Sequence, residues 1–282
     1  MNIKGIIYAI SAACFFGLIP TTAKISYEYG GDPNLAIFAR FSIACFLIAF
    51  PIFFIKIDFN EIFKHFYFLL LISCGFICLT FGLLSSVNYI PVSLTALIFY
   101  TYPLVIISYF FIKTKKLTIS KLIGFLSAFI GLGLALTPTF SNLNIYGVSL
   151  ALLASFGASI ILITNEYLAK YLNALIIHSF INILCLCFFI TIILAFDNLD
   201  FDIPLFGWFF IIFASLCYFI ALLFQLNAVK VIGSTQTSLL LYLEPLVAIS
   251  SAILFLNESL TFLQIIGVII VIISLIMTSR KF

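Results

Sequence analysis

The chain has 282 residues, of which 65% are hydrophobic and only 8% are charged. Soluble domains carry about 25% charged residues, so this composition excludes a soluble globular protein and predicts an integral membrane protein. The formal net charge of +3 is small, and the sequence lacks a basic patch interleaved with aromatic residues. We therefore expect no nucleic-acid partner.

Apolar segments long enough to cross a bilayer follow one another along the whole chain, since a spanning helix needs about 20 residues. In chain order, the ten segments are 3–27, 33–55, 65–87, 91–112, 119–137, 144–166, 174–196, 205–227, 233–256 and 261–279. The residues between them include turn formers, such as Gly30, Gly31 and Pro33 after the first segment. These connections are too short for a folded soluble domain. We therefore expect an all-α integral membrane protein that functions within the bilayer.

The second half of the chain repeats the first at an offset of 142 positions, and we call two residues separated by this offset counterparts. In the fourth and ninth segments, the identical counterparts are Thr95 and Thr237, Leu97 and Leu239, Tyr100 and Tyr242, Pro103 and Pro245, Leu104 and Leu246, Val105 and Val247, Ile107 and Ile249, and Ser108 and Ser250. Aliphatic matches are common in an apolar chain, so the shared Tyr-x-x-Pro pattern carries most of the weight.

The repeat predicts the domain organisation. Five segments precede the boundary near 138–143 and five follow it, which predicts two repeats, 1–137 and 143–282. If the first repeat crosses the membrane an odd number of times, the second repeat begins on the opposite side and has the opposite orientation. We therefore expect ten transmembrane helices in two inverted five-helix repeats, as in many secondary transporters.

Positive charges in the connections lie on one predicted side of the membrane. That side holds Lys4, Lys56, Lys64, Lys113, Lys115, Lys116, Lys121, Lys170, Lys230, Arg280 and Lys281. The opposite connections carry Glu28, Asp32, Asp197, Asp200, Asp202 and Glu258. An excess of Lys and Arg marks the cytoplasmic side. We expect both termini to be cytoplasmic and the protein to lie in the cell membrane, which is the inner membrane if the source is Gram-negative.

Several short motifs recur in a characteristic order. They are Ala39-Arg40-Phe41 in the second segment, Leu243-Glu244-Pro245 in the ninth, and Leu256-Asn257-Glu258 just after it. Together with the ten segments and the Pro-centred fourth and ninth segments, they resemble an EamA-type carrier of the drug/metabolite transporter superfamily. The resemblance covers nearly the whole chain and implies a central cavity and transport of small metabolites, often by export. One position departs from the family pattern, because Lys115 and Lys116 replace the glutamate that usually follows the fourth segment.

Glu244 is the main candidate for a substrate or proton site. It stands near the middle of the ninth segment, where a charge costs roughly 2.5–3.5 kcal/mol, and its counterpart is Tyr102. Pro245 follows it, and we expect the paired prolines to free the carbonyls of Phe99 and Leu241 for a ligand. The alternative is that Glu244 only pairs with a neighbouring helix and that the prolines only set helix curvature.

Arg40 is the second charged candidate, and Asn182 is its counterpart in the seventh segment. It lies about 6 Å outward of the middle of the second segment, at 1.5 Å per residue, so contact with Glu244 is geometrically feasible. A structural ion pair, or a guanidinium that extends toward the outer surface, is the alternative.

Tyr100, Tyr102 and Tyr242 lie within one turn of the paired prolines. They are candidates to line a cavity and to offer hydroxyls to a ligand, and core packing is the alternative. The predicted substrate-binding set is therefore Glu244, Arg40, Tyr100, Tyr102, Tyr242 and Asn182, with helix breaks at Pro103 and Pro245.

The remaining polar residues of the segments have simpler interpretations. Lys24 and its counterpart Glu166 are expected to be interfacial anchors, with a gating role as the alternative. His178 is a lone histidine near a segment end, either solvated or a proton carrier. The seven cysteines all fall in apolar stretches, and we expect packing residues without a disulfide or a metal site.

The sequence thus predicts a secondary transporter that moves a small metabolite by alternating access, without a cofactor and with proton coupling as an option. An amino acid or related zwitterion is the substrate hypothesis, because Arg40 suits a carboxylate and Glu244 an ammonium. A neutral ligand, with Arg40 and Glu244 bound to each other, is the competing view. The runner-up function is an intramembrane enzyme acting on a lipid or small amphiphile. Such an enzyme would require an activated nucleophile or a metal-ligand cluster. The sequence indicates neither, because its two histidines do not have the spacing of metal ligands.

Overall fold

The computed structural model of the protein describes residues 2–115, 119–138, 144–196, 201–256 and 260–279. Within these ranges, all regular structure is helical. The α-helices are α1 Ile3–Glu28, α2 Pro33–Ala49, α3 Phe59–Lys64, α4 Phe66–Ser86, α5 Val92–Phe99, α6 Tyr102–Thr114, α7 Ile119–Leu136, α8 Ile145–Leu168, α9 Ala174–Phe196, α10 Leu205–Leu240, α11 Leu243–Leu256 and α12 Phe262–Ser279, with a short 3-10 helix at Pro51–Phe54. The prediction of an all-α chain is confirmed. Several residues of the charge and motif analysis lie outside the described ranges: Lys116, Asp197, Asp200, Asn257, Glu258, Arg280 and Lys281.

Much of the described chain is apolar enough to cross a membrane. Seven helical stretches qualify by length and composition: Ile3–Glu28, Pro33–Phe54, Phe66–Ser86, Val92–Thr114, Ile145–Leu168, Ala174–Ala195 and Leu205–Leu240. Three shorter apolar helices accompany them: Leu122–Leu136, Leu243–Leu256 and Phe262–Met277. The ninth predicted segment does not form one helix of its own. Its first part continues α10 and the rest is α11.

Two of the predicted segments are broken at equivalent places. The fourth segment ends as α5 at Phe99 and resumes as α6 at Tyr102, and the ninth is interrupted between Leu240 and Leu243. α10 is also interrupted at Gly233, whose φ of 79° and ψ of 166° are non-helical. Residues 234–240 therefore form a short helical piece, which we call the 234–240 half-helix.

The paired prolines lie at the starts of helices, where a missing backbone N–H removes no hydrogen bond. Pro103 is in the first turn of α6, and Pro245 is in the first turn of α11. The carbonyl of Leu241 is not free, contrary to the sequence prediction, because it accepts a hydrogen bond of 2.9 Å from the Glu244 backbone N–H. The tight turn between the two helices supplies this donor, which a continuous helix would not.

The two halves of the chain interleave. α1 packs against α10 and α11, while its counterpart α8 packs against α4, α5 and α6. α2 packs against α9, and α7 packs against α12, so each of these helices contacts its own counterpart. The last contact is close at Gly131 and Gly267, where a Cβ atom added to Gly131 would lie 3.0 Å from the Gly267 carbonyl oxygen. Helices of both halves consequently surround the same central space.

Candidate functional site

A central cavity of about 210 Å³ lies among the helices of both halves. Its lining is largely apolar, and its polar and charged residues are Arg40, Thr80, Tyr102, Tyr218, Gln225 and Glu244. Helices α1, α2, α4, α5, α6, α8, α10 and α11 all contribute side chains. We call this space the central cavity.

The central cavity follows the internal repeat. Seven counterpart pairs line it: Phe16 and Ala158, Ile19 and Ile161, Pro20 and Leu162, Phe76 and Tyr218, Leu83 and Gln225, Phe99 and Leu241, and Tyr102 and Glu244. Equivalent positions of the two halves therefore face one space. In the pairs containing Tyr218, Gln225 and Glu244, the second half supplies the more polar member. The two halves therefore differ in chemistry at these three positions.

Glu244 faces the central cavity from the first turn of α11. A carboxylate is favoured there, because the free N–H groups of a helix N-terminus carry partial positive charge. Helix α1 packs closely against the Glu244 backbone at Gly17, where an added Cβ atom would lie 2.5 Å from the Glu244 carbonyl oxygen. The Tyr100 side chain lies near the carboxylate. Glu244 is thus held at the break between two helices.

Arg40 faces the central cavity from α2, and its guanidinium lies over the Tyr218 ring, 5.4 Å from the centroid. This contact is a cation–π interaction, which leaves the N–H donors of the guanidinium available. Across the described ranges, the structure records no ion pair between Arg40 and Glu244, although both line the cavity. The expected alternative of a structural Arg40–Glu244 pair is therefore not the arrangement of this structure.

The three candidate tyrosines occupy different positions. Tyr102 lines the central cavity, and its hydroxyl lies 3.5 Å from the Ser238 carbonyl. Tyr242 is fully buried and donates a hydrogen bond of 2.7 Å to the Tyr100 carbonyl, and neither of these two tyrosines belongs to the lining. Tyr100 and Tyr242 therefore join the two broken segments to each other behind the cavity.

Asn182 and His178 form a buried polar pair away from the cavity lining. The Asn182 Nδ2 lies 2.6 Å from His178 Nδ1, and His178 Nε2 lies 3.2 Å from the Phe219 carbonyl oxygen. A carbonyl only accepts, so Nε2 carries the proton and Nδ1 accepts from Asn182. His178 has no exposed surface, so the expectation of a solvated histidine is wrong. The pair connects α9 to α10.

Glu166, for which the sequence predicted an interfacial anchor, is a hydrogen-bond acceptor near the end of α8. Its Oε2 accepts hydrogen bonds from the Ser234 backbone N–H at 2.6 Å and from the Ser234 hydroxyl at 2.5 Å. Ser234 follows Gly233 directly, so Glu166 satisfies donors at the start of the 234–240 half-helix. Its counterpart Lys24 is exposed near the end of α1.

Sequence reasoning missed Tyr218, Gln225 and Thr80. The internal repeat identifies Phe76 and Leu83 as the counterparts of the first two, but only the structure shows that all four residues line the central cavity. The Tyr218 hydroxyl is buried and has no hydrogen-bond partner, so it is a free polar group beside the cavity. Among the described residues, no group of three or more His, Cys, Asp or Glu is placed to hold a metal ion.

Comparisons with known proteins agree with this architecture. The model of the EamA-like transporter family matches the chain twice, at residues 3–137 and 145–280. A solved structure whose title reads only "Crystal structure of protein" superposes with a TM-score of 0.84 at 13% identity, covering 98% of both chains, which shows a shared fold. No curated protein matches the chain. With both matches spanning nearly its whole length, the chain belongs to the EamA-like transporter family and is a multi-pass membrane transporter of the drug/metabolite transporter superfamily.

Proposed function

We propose that the protein carries a small zwitterion, such as an amino acid, and binds it in the central cavity. One observation carries the proposal: Arg40 and Glu244 line the same cavity with opposite charges and are not paired with each other. A charge within a membrane protein is costly unless a partner or water compensates it. A ligand with one carboxylate and one ammonium would compensate both.

The proposed roles follow from the chemistry of each group. The planar Arg40 guanidinium presents a fork of N–H donors that matches a carboxylate, while the Glu244 carboxylate faces the ammonium. Tyr218, whose hydroxyl lacks a partner, and Gln225 supply neutral hydrogen-bonding groups. The apolar remainder of the lining receives the ligand's carbon chain. A volume of about 210 Å³ is below the roughly 300–1,000 Å³ of drug-sized sites, which favours a small metabolite.

Alternating access is the mechanism that we propose for this site. The halves 1–137 and 143–282 would be inverted repeats, each with five spanning segments, and the broken segments border the central cavity as they do in other repeat-built carriers. Seven counterpart pairs in one lining support an exchange of the two halves around a common site. Glu244 is the proposed proton site if transport is coupled. We further propose cytoplasmic termini and residence in the cell membrane.

Ligand competition against Arg40 variants tests the proposal. In proteoliposomes, alanine-, methionine- and phenylalanine-type amino acids are compared with their carboxamides as competitors of transport. Arg40→Gln should weaken the amino acids more than the amides, because only the amino acids lose a charge-assisted hydrogen bond. Arg40→Lys keeps the charge and loses the fork, so we expect an intermediate loss. Equal losses for acids and amides would assign Arg40 to structure, and absence of binding by every zwitterion would end the substrate proposal.

A further inference from the structure

A second cavity, of about 510 Å³, lies among α4, α6 and α8 and shares no lining residue with the central cavity. Its walls change from apolar to charged toward the ends of α6 and α8. Leu71, Ile160 and Ile163 form the apolar part, whereas Lys113 is in the last turn of α6 and Lys170 lies just beyond α8. We call this space the lateral cavity.

The charged end of the lateral cavity is cationic. Lys113 and Lys170 are both exposed, and neither forms an ion pair with an acid in the described part of the chain. Glu166 also lines this cavity, but its carboxylate accepts both hydrogen bonds from Ser234. Tyr109, which is 40% exposed, places its ring 5.7 Å from the Lys113 ammonium. Two lysines and one hydrogen-bonded carboxylate give the lining a net positive charge, which favours an anionic ligand.

We propose that the lateral cavity binds an anionic phospholipid. The headgroup phosphate would contact Lys113 and Lys170, and an acyl chain would lie along the apolar wall formed by Leu71, Ile160 and Ile163. Basic pockets between membrane helices are suited to anionic headgroups. Here the two lysines lie at the ends of α6 and α8, whereas the apolar wall lies further along the helices. A soluble anion would leave the apolar wall without a partner. The apolar-to-charged gradient therefore favours a lipid over a free phosphate ester.

Thermal unfolding of the purified full-length protein tests this site with three probes: phosphatidylglycerol, phosphatidylcholine and glycerol 3-phosphate. Phosphatidylglycerol should raise the Tm of the wild-type protein more than phosphatidylcholine does, because a ligand that binds the folded state stabilises it. Its apparent affinity should fall roughly tenfold or more in Lys113→Gln/Lys170→Gln, since each lysine near the headgroups attracts anionic lipid. The matched control, Lys56→Gln/Lys230→Gln, removes two exposed lysines that lie outside the cavity lining and should keep the wild-type response.

A cavity-filling variant keeps the proposal testable if the lysine variant does not fold. Ile163→Trp preserves both lysines and occupies the apolar wall, so it should also lose the phosphatidylglycerol response. Equal stabilisation by glycerol 3-phosphate and phosphatidylglycerol would identify a free-phosphate site and overturn the lipid proposal. An unchanged phosphatidylglycerol response in the lysine variant or in Ile163→Trp would overturn it as well.

Discussion

The Tyr242 hydroxyl donates a hydrogen bond of 2.7 Å to the backbone carbonyl of Tyr100, its own counterpart 142 positions earlier. The two rings also meet edge to face, with centroids 5.9 Å apart. This contact joins the break between α5 and α6 to the break between α10 and α11. Two symmetry-related breaks are thereby held together directly behind Glu244 and Tyr102, which line the central cavity.

Removing this hydrogen bond should destabilise the protein. Tyr242→Phe leaves the buried Tyr100 carbonyl without its donor, and the expected cost is about 1–3 kcal/mol in the free energy of unfolding. Tyr102→Phe is the matched control, because its hydroxyl lies 3.5 Å from the Ser238 carbonyl and contributes less. Unfolding curves of both purified variants provide the measurement. A larger loss for Tyr102→Phe than for Tyr242→Phe would contradict the arrangement.

Gly17→Ala should displace the Glu244 backbone. The new Cβ atom would lie 2.5 Å from the Glu244 carbonyl oxygen and 2.7 Å from Val247 Cβ, so α1 and α11 must move apart. We expect lower stability and a loss of transport. Gly133→Ala is the control, since its Cβ would meet only Leu97 Cδ1, at 3.8 Å, and alanine favours a helix by about 1 kcal/mol. Wild-type transport by Gly17→Ala would show that the close approach is unimportant.

Glu244→Gln should abolish most transport without preventing folding. Glutamine keeps the shape of the side chain and its place in the first turn of α11, but it removes the charge that the proposed ligand or proton requires. Transport in proteoliposomes across a range of pH is the measurement, with size-exclusion chromatography as the check on folding. Wild-type rates at every pH would remove Glu244 from the mechanism.

Glu166 should stabilise the start of the 234–240 half-helix. Glu166→Ala removes an acceptor used by both the N–H and the hydroxyl of Ser234, and the expected cost is about 1.5–3 kcal/mol. Ser234→Ala keeps the backbone N–H bond and should cost about 1 kcal/mol. Unfolding of the purified variants gives both values. If Glu166→Ala cost no more than Ser234→Ala, the backbone N–H bond would be unimportant.

Topology reporters test the inverted arrangement. Fusions after Arg280 and at Lys115 should both report the cytoplasm, and a fusion near Asp200 should report the outside, because the lysines of the connections lie on one predicted side. Activity of a cytoplasmic and an exported reporter at each site is the measurement. Lys115 and Asp200 on the same side would refute the inverted ten-segment model.

The sequence by itself determined the class of the protein and the internal repeat. Its apolar composition allows only a membrane protein, because no soluble core could hide that much apolar surface. The offset of 142 positions identified Tyr100 with Tyr242, and these counterparts are in contact. It also pointed to Arg40 and Glu244, both of which line the central cavity. Charges in apolar segments and repeated motifs can be recognised from residue types and their spacing, so a single sequence is enough to find them.

Only the tertiary structure decided which polar residues face the central cavity. Asn182 is the counterpart of Arg40, yet it is fully buried beside His178, whereas Tyr218 and Gln225 line the cavity. The repeat specifies equivalent positions, but the direction of a side chain depends on the rotation of its helix and on partners distant in sequence. Glu166 shows the same dependence, because Ser234 becomes its partner only where Gly233 breaks α10.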